Sequence, residues 1–275
     1  MTSTVSLDAL AAMVPDGAKV AVAKQDSGSS IAATLALIRR GVRRLHLVCV
    51  PVSSLQADLL IGAGCIETLE TSAVSLGEYG SAPQFCEAVK RGRIRLLDAT
   101  CPAVYAGLQA AQKGLPFMPL RGILGSDVLA NRPDDWRVID NPFGEGDPIV
   151  AIRAIRPDFA LFHAMAADRF GNVLVGRDRD GLLLSHAAGA ALVTVERIVE
   201  GNLLDDPERS SGVVPAMYVG GIALAPQGTA PLGFGDEYPT DGEFMTRYAA
   251  NARSQEGFEA LLAELQERAG AAVAA

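Results

Sequence analysis

The sequence predicts an α/β protein with an open, mostly parallel sheet flanked by helices. Strand-like apolar runs alternate with helical patterns to about residue 130, at the spacing of parallel strands joined by right-handed crossovers. Further along, Phe159–Phe162 has the pattern of a buried strand, and the polar turn Asp168–Asn172 leads into the apolar run Val173–Val175. Polar turns at the ends of buried strands are where sites are built, so this stretch predicts a functional edge of the sheet.

The first half of the chain predicts strands separated by helices. The predicted strands are Ala18–Ala23, Leu45–Val50, Ile66–Ser72, Ile94–Leu97 and Leu115–Leu120. The predicted helices are Leu7–Val14, Ile31–Arg40, Leu55–Gly62, Ser81–Arg91 and Ala103–Lys113. Turn residues separate these runs, as Gly114 does after the last helix, where it suits the C′ position.

The second half begins with a polar segment, Asn131–Pro148, which we interpret as a surface excursion with a short strand at Trp136–Ile139. It is not a domain linker, because the strand-like run Ile149–Ile152 follows at once. The remaining predicted elements are the helix Leu182–Ala190, the strand Ala191–Val199, the strand region Val213–Ala225, the loop Pro226–Pro239 and the helices Asp241–Asn251 and Gln255–Arg268. Without an internal repeat or linker, residues 1–275 are expected to form a single domain.

Composition narrows the function classes. The chain has 275 residues, 49% of them hydrophobic, which supports a core without disulfides. Its four cysteines form no CxxC pair, so we expect reduced thiols in a cytoplasmic protein. We find no signal-peptide pattern and no apolar run near the ~20 residues of a membrane helix.

Charge and histidine spacing argue against two further classes, nucleic-acid-binding proteins and zinc proteins. The net charge of −8 and the absence of long basic runs argue against nucleic acid as a partner. The three histidines are dispersed and show no zinc-binding spacing, so no metal site is predicted. His163 is expected to organise the Asp168–Asn172 turn or to make a polar contact at a subunit interface. Asp168 and Arg169 are expected to hold the turn by hydrogen bonds, and contact of Arg169 with a phosphate is the sharper alternative.

The polar segment Lys24–Ser30, which we call the first loop, lies between a predicted strand and the helix Ile31–Arg40. Free amides at such a helix start can hold an anion. The plainer interpretation is a helix N-cap formed by Ser27 or Ser29, and the local sequence favours it.

Several segments in order along the chain resemble the alpha subunits of family I CoA-transferases. They are Leu59–Ala63 followed by Ile66, Leu115–Pro119 with Gly125–Asp127, Phe162–Val173, Leu192–Val199 and Arg253–Gly257. The type that the chain is most similar to is the A subunit of glutaconate CoA-transferase, with its relatives in steroid-ring degradation. The order and spacing of the segments carry the resemblance more than any one motif does.

The resemblance implies an alpha subunit whose obligate partner is a beta subunit. In these two-chain enzymes the nucleophilic glutamate lies on the beta subunit. It attacks the acyl-CoA thioester, which is covalent catalysis by a carboxylate. The alpha subunit forms part of the pocket for acyl-CoA and a small carboxylic acid. Coenzyme A is thus a substrate, and no tightly bound cofactor is implied. Without its beta subunit, the chain is expected to cover its exposed apolar face by forming a homo-oligomer.

The sequence departs from this family at three places. The first loop usually carries several glycines and here has only Gly28. The loop after the last predicted strand, which we call the late loop, often contains a histidine in this family. Here its segment Gln227–Pro231 has none. After the fourth predicted strand, Asp98 stands where a glutamate is common, and Cys101 falls near another acid of the steroid-ring relatives.

The resemblance and these departures give the candidate site residues. Asp98 is the candidate catalytic group, as a general base if its pKa were raised. A helix N-cap by Asp98 or Thr100 ahead of Pro102 is the alternative, and the local sequence favours that cap. The candidate residues for binding acyl-CoA are Ser27, Gly28, Ser29, Ser30, Cys101, Gly125, Ser126 and Asp127.

Two other functions stay open at the level of sequence. The complex could hydrolyse a C–C bond in a CoA-activated ring, as the steroid-ring relatives do. The altered first loop also allows a homologue that binds ligands or acts as a scaffold without its own chemistry.

Overall fold

The computed structural model describes residues 4–177 and 179–274, and two sheets organise them. The strands are β1 (Lys19–Val22), β2 (Leu45–Cys49), β3 (Ile66–Thr71), β4 (Arg95–Asp98), β5 (Phe117–Leu120), β6 (Trp136–Asp140), β7 (Pro148–Arg153), β8 (Phe159–Asp168), β9 (Val173–Leu174), β10 (Ala190–Val199), β11 (Val213–Val214) and β12 (Val219–Leu224). The α-helices are α1 (Leu7–Ala12), α2 (Ile31–Arg40), α3 (Leu55–Gly62), α4 (Pro83–Lys90), α5 (Cys101–Gln112), α6 (Asp127–Ala130), α7 (Asp180–Ala187), α8 (Gly242–Asn251) and α9 (Gln255–Ala274). Short 3-10 helices lie at Gly77–Tyr79, Leu203–Asp205, Ser210–Gly212 and Ala216–Tyr218.

The main sheet confirms the predicted α/β class. Its parallel strands follow the order β4-β3-β2-β1-β8-β10-β12, while β9 and β11 add antiparallel pairs. The long strand β8 pairs with β1 through Leu161, and near its carboxyl end it pairs with β9 on that same side. Its other edge pairs with β10 from Phe159 to Asp168. The carboxyl half of β8 therefore extends past the end of β1.

The two faces of the sheet pack into two hydrophobic clusters because successive strand side chains point to opposite faces. In β1, Val20 and Val22 join the cluster formed with α1–α4, α8 and α9. Ala21, between them, joins the cluster formed with α5, α7 and the second sheet. None of the helices in the described ranges has the length and apolar character needed to cross a membrane.

The prediction that Leu115–Leu120 continues the parallel sheet is wrong. Its strand, β5, lies in a separate antiparallel sheet of order β5-β7-β6 that packs against α5. Phe117 and Pro119 are exposed while Met118 and Leu120 are half-buried. One covered and one solvated face is the pattern of an antiparallel sheet, whereas parallel strands are covered on both faces. The short strand expected at Trp136–Ile139 is present as β6.

The segment after α6 is fastened to the main sheet by a buried ion pair. Arg132 donates to Glu70 on β3 at 2.6 Å, and both side chains are almost fully buried. The same guanidinium donates to the main-chain oxygens of Leu97 and Asp98, at 3.3 and 3.2 Å. Lys19 lies 3.2 Å from the second Glu70 oxygen. The ends of β3 and β4 are thus tied to the small sheet by one arginine.

The charges around Glu70 also control its protonation. Burial by itself would raise the pKa of Glu70, but contact with His46 and the charges of Lys19 and Arg132 outweigh burial. Together they lower the pKa to about 2 from the ordinary value of 4.5. The carboxylate therefore stabilises the folded state above pH 4.5, and this contribution is lost as the pH falls towards 2.

Arg132→Ala is expected to lower the free energy of unfolding by about 3–5 kcal/mol, because it leaves the Glu70 charge buried with fewer partners. Urea unfolding monitored by circular dichroism measures the change. Arg121→Ala is the matched control, because Arg121 pairs with Asp147 at the surface and its loss should cost at most about 1 kcal/mol. Equal losses in the two variants would contradict the prediction.

Glu70→Gln is expected to destabilise the protein in a pH-dependent way. The difference in unfolding free energy from the wild type should be largest near pH 7 and should shrink once the pH falls below 4.5. Urea unfolding at a series of pH values between 7 and 3 provides the measurement. A difference that stays constant over that range would show that the Glu70 charge does not matter.

Candidate functional site

The first loop lies at the carboxyl end of β1, in the middle of the main sheet. Its Gly28 carbonyl accepts a hydrogen bond of 2.6 Å from the main-chain amide of His163 on β8. The loop thus takes the place beside β8 that β1 has vacated. Gly28 has φ +82°, and a Cβ atom there would lie 2.1 Å from the His163 carbonyl oxygen. Only glycine fits so close to the β8 backbone.

The serine side chains of the first loop are all engaged inside the protein. Ser27 donates to the Asp180 carboxylate at 3.2 Å, and Ser29 donates to the carbonyl of Lys24 at 3.3 Å. The prediction that Ser27 or Ser29 caps α2 is therefore wrong. Ser30 occupies the N-cap position, yet its hydroxyl bonds Thr194 at 2.7 Å rather than a helix amide. The hydrogen bond to Thr194, a residue distant in sequence, thus replaces the bond that a serine at this position could make to a helix amide.

The start of α2 is also in contact with the late loop. The Ala32 amide in its first turn donates to the carbonyl of Gly228 at 2.9 Å. One of the amides that we expected to be free for an anion is thus used within the protein. The loops at residues 24–30 and 225–231 meet at this helix end, and Lys24, Gln25 and Asp26 are the first-loop residues that reach solvent.

A buried polar network lies beneath both loops. His163 is completely buried, with Nε2 2.7 Å from Glu196 and Nδ1 2.9 Å from the Thr194 hydroxyl. Glu196 also accepts from the Tyr238 hydroxyl at 2.7 Å and from the Gln227 amide at 2.8 Å. We expected His163 to organise the Asp168–Asn172 turn. Instead, it lies beneath the first loop.

Sequence reasoning missed Thr194, Glu196 and Tyr238. A signal for two of them exists, because Thr194 and Glu196 lie two residues apart on the same side of β10, whose residues from Ala190 to Val195 are otherwise apolar. Burial by itself would raise the pKa of Glu196, but hydrogen bonds from His163, Tyr238 and Gln227 outweigh it and lower that pKa. Burial and the adjacent carboxylate raise the pKa of Tyr238. Glu196 is thus an ionised carboxylate that accepts hydrogen bonds from His163, Tyr238 and Gln227.

Asp98 lies apart from the first loop, at the carboxyl end of the edge strand β4. Three strand spacings of about 4.8 Å separate β4 from β1, so the two candidate regions are about 14 Å apart along the sheet edge. Thr100 accepts from the Ala103 amide at 3.4 Å and caps α5. Asp98 is therefore not the cap. Within residues 4–177 and 179–270, no side chain forms an ion pair or hydrogen bond with its half-buried carboxylate.

Cys101, the first residue of α5, is exposed near the same end of the sheet. Its sulfur lies 3.2 Å from the hydroxyl of Ser72, which follows β3. The contact is compatible with a weak hydrogen bond between thiol and hydroxyl. Asp98 and Cys101 therefore share one region of the carboxyl edge.

The segment Gly125–Asp127 lies in the connection between β5 and β6, two strands of the small sheet. Ser126 caps the short helix α6 by accepting from the Val128 amide at 3.1 Å, and Gly125 precedes it with φ +73°. Gly125 and Asp127 are exposed. This helix leads directly to Arg132, whose contacts place the connection over the end of β4. Its link is thus to the Asp98 region rather than to the first loop.

The turn Asp168–Asn172 is stabilised by hydrogen bonds, as the sequence indicated, but the side chains that make them are Asp168 and Asn172 rather than Asp168 and Arg169. The Asp168 carboxylate accepts from the amides of Phe170, Asn172 and Leu203 at 2.8, 3.0 and 2.9 Å. Arg169 instead lies over the ring of Phe170 at 5.0 Å. The turn is therefore a structural connection between β8 and β9, and contact of Arg169 with a phosphate stays a prediction.

A cavity of about 380 Å³ lies on another side of the late loop. It is mostly apolar, with Leu35 of α2 and Leu265 of α9 among its walls and the ion pair of Asp241 and Arg268 in its lining. None of the residues predicted to bind acyl-CoA lines it. Among the described residues, no group of His, Cys, Asp or Glu side chains has the arrangement of a metal site.

Gly28→Ala is expected to lower the free energy of unfolding by about 3 kcal/mol, because the new Cβ atom meets the β8 backbone and φ is positive. Gly125→Ala is the matched control. Its φ is also positive, but apart from its two chain neighbours no described residue has a heavy atom within 4 Å of the added Cβ atom, so the loss should be about 1 kcal/mol. Urea unfolding of both variants checks this, and equal losses would exclude a close approach at Gly28.

Comparison with known proteins supports the family suggested by the sequence. The profile of the family described as Coenzyme A transferase matches residues 4–223. The A subunit of 3-oxoadipate CoA-transferase from Pseudomonas knackmussii is 33% identical over 264 residues, which are 94% of this chain and 90% of that protein. The IpdA subunit of a cholesterol ring-cleaving hydrolase from Rhodococcus jostii is 32% identical, covering 83% of this chain and 79% of that protein.

Solved structures agree with these matches. Glutaconate coenzyme A-transferase from Acidaminococcus fermentans superimposes with a TM-score of 0.88 at 25% identity, covering 96% of this chain and 88% of that one. The decarboxylase AibA/AibB superimposes with a TM-score of 0.83 at 32% identity, covering 95% and 98%. From these sequence and structure matches, the chain belongs to the coenzyme A transferase family and is of the same type as the A subunit of glutaconate CoA-transferase.

Proposed function

We propose that this chain is the alpha subunit of a two-chain enzyme that moves CoA between an acyl-CoA and a carboxylic acid. A separate beta chain supplies the nucleophilic glutamate. The observation that carries the proposal is the first loop, which follows the carboxyl end of β1 and which Gly28 brings against the middle of β8. In α/β sheets the carboxyl edge is where ligands bind.

The reaction divides into balanced steps. The beta-chain carboxylate attacks the thioester carbonyl, the C–S bond breaks, and CoA leaves as a thiolate, so that the acyl group and the glutamate form a mixed anhydride. The thiolate then attacks the glutamyl carbonyl, releases the first acid and forms a glutamyl-CoA thioester. The acceptor acid reverses both steps and leaves with CoA.

The alpha chain contributes the wall on which the acyl group lies. The hydroxyls of Ser27, Ser29 and Ser30 are already bonded inside the chain, so contact with the substrate falls to the main chain of the first loop and to the side chains that reach solvent, which are Lys24, Gln25 and Asp26. Lys24 is partly exposed and lies 3.7 Å from the Asp180 carboxylate. It is a cation beside the proposed pocket and complements the negative charge of an acid substrate.

A second candidate is hydrolysis of a C–C bond in a CoA-activated ring. The observation that favours it is Asp98, whose carboxylate neither caps α5 nor takes part in an ion pair within the described residues. Such a group at a sheet end is free to move a proton to or from water. One variant, Asp98→Asn, separates the two candidates.

Co-expression with its beta subunit, to be sought in the neighbouring reading frame, is expected to give a stable complex that exchanges CoA between an acyl-CoA and labelled acids. Asp98→Asn should change that exchange by less than about tenfold, or ~1.4 kcal/mol in the barrier, because the beta-chain glutamate forms the covalent bond. Mass spectrometry of the acyl-CoA products measures the exchange, and mass photometry shows the assembly.

Other outcomes support the alternatives. No exchange with any acid, together with hydrolysis that Asp98→Asn abolishes in an intact complex, would favour the hydrolase. A complex with neither activity that CoA does not stabilise against heat would favour a scaffold. A homo-oligomer is expected when the chain is purified without its partner.

A further inference from the structure

Glu196 joins the two loops of the proposed site. One oxygen of its carboxylate accepts from His163 and Tyr238, each at 2.7 Å, and the other accepts from the Gln227 amide at 2.8 Å. Its side chain is 10% exposed, while the His163 side chain is completely buried. The glutamate therefore lies at the boundary between the buried network and the surface of the carboxyl edge.

The hydrogen bonds continue from Glu196 to the first loop. When the imidazole of His163 is neutral and donates from Nε2, its Nδ1 accepts from the Thr194 hydroxyl. The Thr194 oxygen then accepts from Ser30, the N-cap residue of α2. The tautomer of His163 is set by Glu196, as it is wherever a carboxylate faces one nitrogen of a histidine. Every polar atom along this path has a partner.

The late loop also depends on Glu196 and His163. Gln227 has φ +56°, a conformation that is unfavourable for a non-glycine residue and needs support from its surroundings. Glu196 gives that support through the Gln227 amide. Gly228 follows, and a Cβ atom there would lie 2.6 Å from Nδ1 of His163. Its carbonyl accepts from Ala32, so the late loop is fixed to the first turn of α2.

We propose that Glu196 is a positioning residue of the CoA-transferase site, holding the first loop and the late loop in one arrangement through His163 and Gln227. This inference rests on the proposed function. It is distinct from catalysis, because Glu196 is engaged by three donors and acts on the substrate only through the loops. Glu196 raises the fraction of molecules whose loops are ready to bind acyl-CoA.

Glu196→Gln tests the proposal because the amide has one acceptor oxygen and places an NH₂ group opposite a donor. We expect the KM for acyl-CoA in the complex with the beta chain to rise about tenfold, the factor of a lost charge-assisted hydrogen bond, while kcat changes by less than about twofold. Arg197→Gln is the matched control. Arg197 is the next residue on β10 and pairs with Glu237 at the surface, so its loss should leave KM and kcat unchanged.

Hydrogen exchange gives a second readout that does not require activity. In the full chain, with its beta chain where the two assemble, Glu196→Gln should speed the exchange of the Gln227 and Ala32 amides at least tenfold and leave α9 unchanged. If the wild-type complex exchanges no CoA, the proposed function fails. The rates of hydrogen exchange at the Gln227 and Ala32 amides still show whether Glu196 holds the two loops.

Three outcomes would overturn the proposal. The first is a fall in kcat at unchanged KM, and the second is unchanged exchange at Gln227 and Ala32. The third is faster exchange throughout the chain with no preference for the loops, which would mark a structural role. If Glu196→Gln does not fold, Tyr238→Phe removes one donor and leaves the carboxylate, and it should raise KM about threefold without changing kcat.

Discussion

The hydrogen bond from the His163 amide to the Gly28 carbonyl is the contact on which the rest of the site depends. It continues the main-chain pairing of β8 beyond the point where β1 ends, so a polar loop occupies the place of a strand. A loop can lie so close only where a side chain is absent, which is why one glycine survives in an otherwise substituted first loop. The side chain of the same histidine bonds Glu196, which accepts from the Gln227 amide of the late loop. Backbone and imidazole together position both walls of the site.

Burial explains why this network is so completely paired. A polar atom removed from water without a partner costs about 1–3 kcal/mol, and a charge costs more. Glu196 and His163 lie just beyond the end of β1, where the first loop and the late loop cover β8 and β10. Each donor and acceptor there has found a partner on a different element. Glu70 and Arg132, near the edge of the sheet, form an even more buried ion pair, but there the pairing is incomplete, because Nε of Arg132 has no hydrogen-bond partner among the described residues.

The carboxyl edge therefore has two regions with different properties. The central region has a tightly bonded floor and loops whose hydroxyls are used internally. The region at β4 has the half-buried carboxylate of Asp98 and the exposed thiol of Cys101. Related proteins carry names of a CoA-transferase, a ring-cleaving hydrolase and a decarboxylase on this same fold. Chemistry in such a family is decided by local groups rather than by the architecture.

The sequence by itself determined the alternation of strands and helices, the helices Ile31–Arg40 and Leu55–Gly62 to the residue, the Asp168–Asn172 turn and the family. These features depend on local periodicity and turn chemistry, which neighbouring residues encode. Only the tertiary structure decided that β5 leaves the main sheet, that Ser30 bonds Thr194 instead of capping its helix, and that Glu196 joins the two loops. Those outcomes come from competition among partners distant in sequence, and the energy of a buried hydrogen bond outweighs a local preference.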